Sequence, residues 1–173
     1  MARFNLRYMT LASLFAALLA ICAWICIPVS DIGHTMQTFG IFLALQLLGG
    51  KWGSVSIGIY LLLGAVGLPV FSGFRGGMGH LVGVTGGFLW GFLAAGLVYR
   101  ALEKTGTIPA MIAGLLVNYL CGCLWFYGYT GGGIGLILLR CVVPFLIPDG
   151  LKLWLAYSLA RRLNKVIKIP SRT

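Results

Sequence analysis

The chain has 173 residues, 60% hydrophobic and 9% charged, with a mean hydropathy of +0.98. A soluble domain carries about 25% charged residues, so water is excluded as the solvent for most of this surface. The length allows one membrane domain, 1–173, and no separate soluble one. Thirteen Lys and Arg stand against three acids, which in a soluble protein would suggest nucleic acid. Here the bases flank apolar runs and report membrane orientation, so no nucleic-acid partner is expected.

Residues 10–27 form an uncharged run that ends at Pro28, long enough for a spanning helix at the ~20 residues a bilayer needs. Arg3 and Arg7 before it resemble a signal peptide, but no small-x-small cleavage site closes the run, so it is assigned as a span. A polar loop with Asp31 and His34 follows. The second span, 36–49, stops at Gly49-Gly50-Lys51, and the third covers 52–66 before Gly67-Leu68-Pro69. From 67 to 79 glycine, proline and Arg75 exclude a regular helix. Irregular backbone at membrane depth survives only where protein or a water-filled cavity covers it, so this loop is expected to fold inward over a cavity. Spans follow at 80–99 and 108–127. Gly131-Gly132-Gly133 then breaks the chain, 134–143 is a short helix, and a final span at 149–163 begins after Pro148.

The expected class is therefore an all-α integral membrane protein of six spans. With both ends inside, ten of thirteen basic residues lie on the cytoplasmic side, which supports N-in and C-in. The outer exceptions are Arg75, Arg140 and Lys152. Arg140 is expected to snorkel to the surface. Arg75 is either a loop-pinning residue or a ligand contact.

Asp149 and Lys152 lie three apart on one helical face. A central ionised group costs about 2.5–3.5 kcal/mol on insertion scales, and the two offset each other. Pro148 suits a first helical position, which places Asp149 where the helix dipole favours an anion and Lys152 where a cation is disfavoured. Lys152 therefore calls for a negative or hydrogen-bonding partner, either Asp149 or a ligand. Gln37, Thr38, Gln46, Thr85 and Asn118 are further polar residues at membrane depth, each a ligand contact or a helix–helix hydrogen bond. Tyr60 and Trp90 read as packing residues.

Two ridges of small residues recur at every fourth position: Ala12, Ala16 and Ala20, and then Gly83, Gly87, Gly91 and Ala95. Such ridges permit close helix approach. The glycine ridge is expected to pack internally, whereas the alanine ridge serves either internal packing or a partner subunit. The five cysteines read as small membrane-level hydrophobes rather than metal ligands or disulfides. Enzyme motifs are absent, and no cofactor or metal is called for.

Several stretches together resemble the BioY family, the biotin-specific S components of energy-coupling factor (ECF) transporters. They are Thr38 to Gly40, Leu62 to Phe71, Arg75-Gly76-Gly77 and Thr85 to Phe92. Last comes Pro144-Phe145-Leu146-Ile147-Pro148-Asp149-Gly150-Leu151-Lys152, similar to a Pro-Phe-x-Pro-Gly-Asp-x-x-Lys element. The chain has Pro-Asp-Gly where that element has Pro-Gly-Asp, and the acid is aligned with Asp149 to keep its offset from Lys152. The resemblance implies an ECF S-component fold in a bacterial plasma membrane. It also implies biotin bound near the outer surface, gating by the loops after the first and third spans, and energy from paired ATPases through a transmembrane T component. It favours the alanine ridge as the T-component contact. Asp149, Lys152, Arg75, Gln37, Thr85, Gly86 and Asn118 are the expected substrate-binding residues. Alternatives are an S component for another vitamin, an intramembrane enzyme using His80 or a cysteine, and a non-transporting scaffold.

Overall fold

The computed structural model describes residues 6–27 and 33–166. Arg3, Pro28, Asp31, Lys168 and Arg172, and with them the turn of the loop after the first expected span, lie outside the described residues. The order is α1 (Leu6–Trp24), β1 (Cys26–Ile27), β2 (His34–Thr35), α2 (Gln37–Ala65), α3 (Met78–Leu81), α4 (Gly86–Leu102), α5 (Thr107–Thr130), α6 (Ile134–Cys141) and α7 (Val143–Val166). The two short strands pair antiparallel, Cys26 with Thr35 and Ile27 with His34.

Among the described residues four helical stretches are long and apolar enough to cross a membrane: Leu6–Trp24, Gln37–Ala65, Thr107–Thr130 and Ile134–Val166. α4 is apolar but shorter. Leu62 on α2, Val66 just past its end, and Leu116, Leu120 and Leu124 on α5 point outward and are exposed. Apolar residues on the outside as well as the inside mark a helix whose solvent is lipid. α4 packs along α5, and α2 lies against α1, α4 and α7. The core is built from Leu19, Ile41, Phe42, Leu45, Ile57, Tyr60, Phe92 and Tyr99.

The expected second and third spans meet without a loop. Gly49 takes φ 78°, ψ 164° inside α2, an extended left-sided conformation that only glycine adopts readily. The chain folds back there on one residue, leaving the first N–H groups of the second arm without helical partners. Glu103 answers one of them, accepting from the Gly50 N–H at 2.7 Å. α4 passes so close that a Cβ on Gly50 would lie 2.4 Å from the Arg100 Cα. Tyr8 stacks on Trp52 at this same end of the molecule, with centroids 5.5 Å apart.

At the opposite end the irregular segment after α2 is closely held. Phe71 is fully buried and sits on Gly64, where an added Cβ would come within 2.0 Å of the ring. The Gly77 N–H donates to the Gly64 carbonyl at 2.6 Å, and the Phe71 N–H to Arg75 at 2.9 Å. Trp24 at the end of α1 donates its indole N–H to the Pro69 carbonyl (2.9 Å) and stacks on Phe74 (4.9 Å). Phe74 is the non-glycine residue with positive φ, 57°, among the described residues.

Three expectations need correcting. The fourth span does not begin at His80: α3 and a turn occupy 78–85, and α4 starts at Gly86. The last helix begins at Val143 rather than Asp149, with Pro148 in its interior, so Asp149 lies two turns in and the dipole argument for it fails. The alanine ridge faces inward: Ala12, Ala16 and Ala20 are 0%, 1% and 6% exposed. Their small size lets α1 pack closely on the core, and the partner-contact assignment of these three residues gives way to internal packing. In the glycine ridge, Gly87 and Gly91 lie against Trp125 and Asn118 of α5.

Gly64→Ala should lower stability by about 1–3 kcal/mol through overpacking on Phe71. Thermal unfolding in detergent checks this, and Phe71→Leu in the same chain should recover part of the loss. A Gly64→Ala protein as stable as wild type would show that the loop does not depend on this close approach.

Candidate functional site

Asp149 and Lys152 lie on one face of α7 because residues three apart are helical neighbours. Both are buried. The Lys152 ammonium donates to Asp149 Oδ1 at 2.8 Å, and the Tyr119 hydroxyl on α5 donates to Oδ2 at 2.9 Å. The carboxylate thus has a donor on each oxygen, as a buried charge requires. Lys152 carries three N–H donors, and among the described residues Asp149 is the acceptor bonded to it.

These groups form one wall of a cavity of about 390 Å³, within the ~300–1,000 Å³ usual for small-molecule sites. α5 contributes Asn118 beside Tyr119. The Asn118 side-chain oxygen is buried and has no hydrogen-bond partner among the described residues. α4 contributes Phe88, Leu89 and Phe92, and α7 adds Phe145, which makes an apolar flank next to the polar wall. Gln37 and Thr38 enter from the start of α2, and Cys26, Gly33 and Thr35 from the strands.

Gln37 is held at both ends of its amide. Its Nε2 donates to the Tyr60 hydroxyl at 2.7 Å, and its Oε1 accepts from Thr35 at 2.7 Å. The segment between α2 and α4 closes the cavity with Ser72, Gly73, Arg75, His80 and Thr85. Arg75 is exposed, so its guanidinium lies at the rim near water. His80 stacks on Phe71 (5.3 Å), and burial first, then the charge of Arg75, push its pKa below the ordinary value.

Of the residues singled out from sequence, Asp149, Lys152, Arg75, Gln37, Thr85 and Asn118 all line this one cavity, as does Thr38. Gly86 does not. Its N–H donates to the Gly83 carbonyl, and a Cβ there would lie 2.0 Å from the Leu81 oxygen, so it serves the tight entry into α4. Gln46 bonds the Phe42 carbonyl of its own helix. Tyr119, His80, Thr35 and the aromatic flank were not singled out as site residues. Tyr119 had one sequence signal, its place next to Asn118, but seven tyrosines share its chemistry. Tyr60, read as packing, is also the partner that orients Gln37.

Removing one member of the buried pair should be worse than removing both. Asp149→Asn or Lys152→Met leaves an uncompensated charge and should cost about 3–5 kcal/mol, a fall in Tm of roughly 10 °C. The double variant Asp149→Leu with Lys152→Met should recover most of it. Single variants melting within a degree of wild type would show that the pair does not balance in place.

The family model described as the BioY family matches residues 1–169. The chain is 38% identical over 166 residues to a biotin transporter BioY of Thermotoga maritima, covering 93% of this chain and 98% of that one. It is also 38% identical over 158 residues to a probable biotin transporter BioY of Pyrococcus horikoshii, covering 91% and 96%. Among solved structures, the S-component for biotin from an ECF-type ABC transporter superposes with a TM-score of 0.85 at 25% identity, over 95% of this chain and 94% of that one. The chain belongs to the BioY family, a family of transporter proteins and not of enzymes.

Proposed function

We propose that this chain is the S component that captures biotin at the outer face of the membrane and delivers it inward with a T component and paired ATPases. The observation that carries this reading is the cavity in which Asp149, Lys152, Tyr119 and Asn118 form a polar wall beside an aromatic flank. Biotin presents the complementary set. Its ureido ring has two N–H donors and one carbonyl acceptor, the ring carrying sulfur is apolar, and the tail ends in a carboxylate. Asp149 accepts from a ureido N–H group, and Lys152 donates to the ureido oxygen. The charged tail points to the rim, where Arg75 remains near water.

The chain crosses the membrane six times in this reading: α1, the two arms of α2 on either side of Gly49, α4, α5 and α7. Arg7, Lys51, Arg100 and Lys104 then gather at the end opposite the cavity, followed by Arg161, Arg162 and Lys165 at the end of α7, which fits N-in and C-in. The T component meets α1 on its outward face, where Thr10, Ser13, Ala17 and Ile21 are exposed. The alanine ridge one residue before that face is occupied by the chain's own core.

Biotin binding to the purified chain in detergent tests the reading. Asp149→Asn and Lys152→Ala should each weaken it by roughly 10- to 100-fold, the range for hydrogen bonds to a charged group. Wild-type binding no tighter than that of the variants would sink the assignment. Biotin amide, with its neutral tail, should bind wild type more weakly than biotin but equally well to Arg75→Gln. A preference for biotin that persists in Arg75→Gln would place the tail elsewhere. Ala17→Trp should abolish co-purification with a T component and leave biotin binding intact, whereas Ala16→Trp should lower the yield of folded protein. The reverse pattern would return the contact to the buried ridge.

A further inference from the structure

α7 contains a gap in its own hydrogen bonding. In a helix the N–H of residue 148 donates to the carbonyl of residue 144, but Pro148 has no N–H. The Pro144 carbonyl freed in this way is bonded by His34 Nε2 at 3.0 Å. A carbonyl only accepts, so Nε2 carries the proton. The imidazole also lies flat on the Phe145 ring, with centroids 4.2 Å apart and planes 8° from parallel. Phe145 lines the cavity four residues before Asp149, one turn away on the same face.

His34 belongs to β2 and pairs with Ile27 of β1. Its two contacts therefore tie the segment between α1 and α2 to the helix that carries Asp149 and Lys152. His34 is buried and Pro144 half-buried, so the bond between them is partly shielded from water. The two halves reinforce each other: Pro148 removes the helical N–H that would share the Pro144 carbonyl, and His34 supplies a donor in its place.

We propose that His34 is a positioning residue that latches the strand pair onto α7 through the carbonyl that Pro148 frees, holding Phe145 as a wall of the cavity and setting how long a bound solute stays. The residence part rests on the biotin-binding reading above. The latch itself is made only of the chain's own groups.

Three variants of the full chain test it. His34→Phe keeps the ring stack and loses the donor. Pro148→Ala returns an N–H that competes with His34 for the Pro144 carbonyl and weakens the latch bond. The third carries both changes. Each single variant should speed biotin dissociation by roughly 3- to 10-fold, the range for one net hydrogen bond, with association within about twofold of wild type. The double variant should be no faster than the faster single, because both changes act on the same bond, which His34→Phe already abolishes. If Pro148 acted only by bending the helix, its effect would persist in the His34→Phe background.

Maleimide labelling of Cys26, located by mass spectrometry in the absence of biotin, provides a second readout. Cys26 precedes the residue paired with His34 and lines the cavity, so its labelling should accelerate in all three variants. If His34→Phe fails to fold, Pro148→Ala and His34→Gln, which retains an N–H donor, carry the comparison: labelling should rise in the first and stay near wild type in the second. Unchanged labelling in folded His34→Phe and Pro148→Ala, or dissociation effects that multiply in the double variant, overturns the latch. A wild type that binds no biotin while labelling still accelerates in the variants removes biotin as the solute and supports the latch by the labelling alone.

Discussion

A carboxylate and an ammonium 2.8 Å apart, both buried in a helix surrounded by lipid-facing residues, set the terms for everything near them. Each ion alone is costly at that depth. Even as a pair they need donors and acceptors for their remaining valences. Tyr119 meets one such demand from α5, and the close α4–α5 packing at Gly87 and Gly91 brings that helix near enough to do so. The cavity opens beside this satisfied charge, with the polar groups that converge on Asp149 along one wall. Phe88, Phe92 and Phe145 form the apolar flank.

The same requirement explains why so few acids are enough. Glu103 caps the helical arm that the Gly49 reversal leaves open, and Asp149 organises the site. Glu103 accepts from a backbone N–H and Asp149 from two side-chain donors. An apolar protein of this kind places a carboxylate where backbone or side-chain donors would otherwise be stranded.

How much of this was legible beforehand follows from which signals stand out against an apolar background. Asp149 and Lys152 were visible as charges where none belong, and Arg75 as a base on the wrong side. Asn118, Gln37 and Thr85 were visible as polar residues at depth, though spacing alone did not say that they share one cavity. Small-residue periodicity gave a face but not its occupant: Ala12, Ala16 and Ala20 looked the same whether they met a partner or the chain's own core. Pro148 misled because a proline is as compatible with the first turn of a helix as with an interior position whose lost bond is replaced from elsewhere. That replacement comes from His34, more than a hundred residues away in sequence, and no local pattern reports it. Gly49 was recognised as a stop, but the absence of any loop after it depends on Glu103 and on the approach of Arg100, both distant in the chain.

Phe74, with its positive φ, has a consequence for how selectivity arises. A bulky residue in that region of backbone space costs on the order of 1–3 kcal/mol, and it is held there by its stack on Trp24, which in turn grips Pro69. Together with the buried Phe71, these contacts shape the covering segment through the chain's own groups. A segment already ordered has little conformational freedom left to lose on binding, so a small molecule with few contact atoms can still be retained firmly. In the biotin-binding reading proposed above, discrimination works by shape: a molecule of the wrong outline has to distort the packing of Phe71, Trp24 and Phe74.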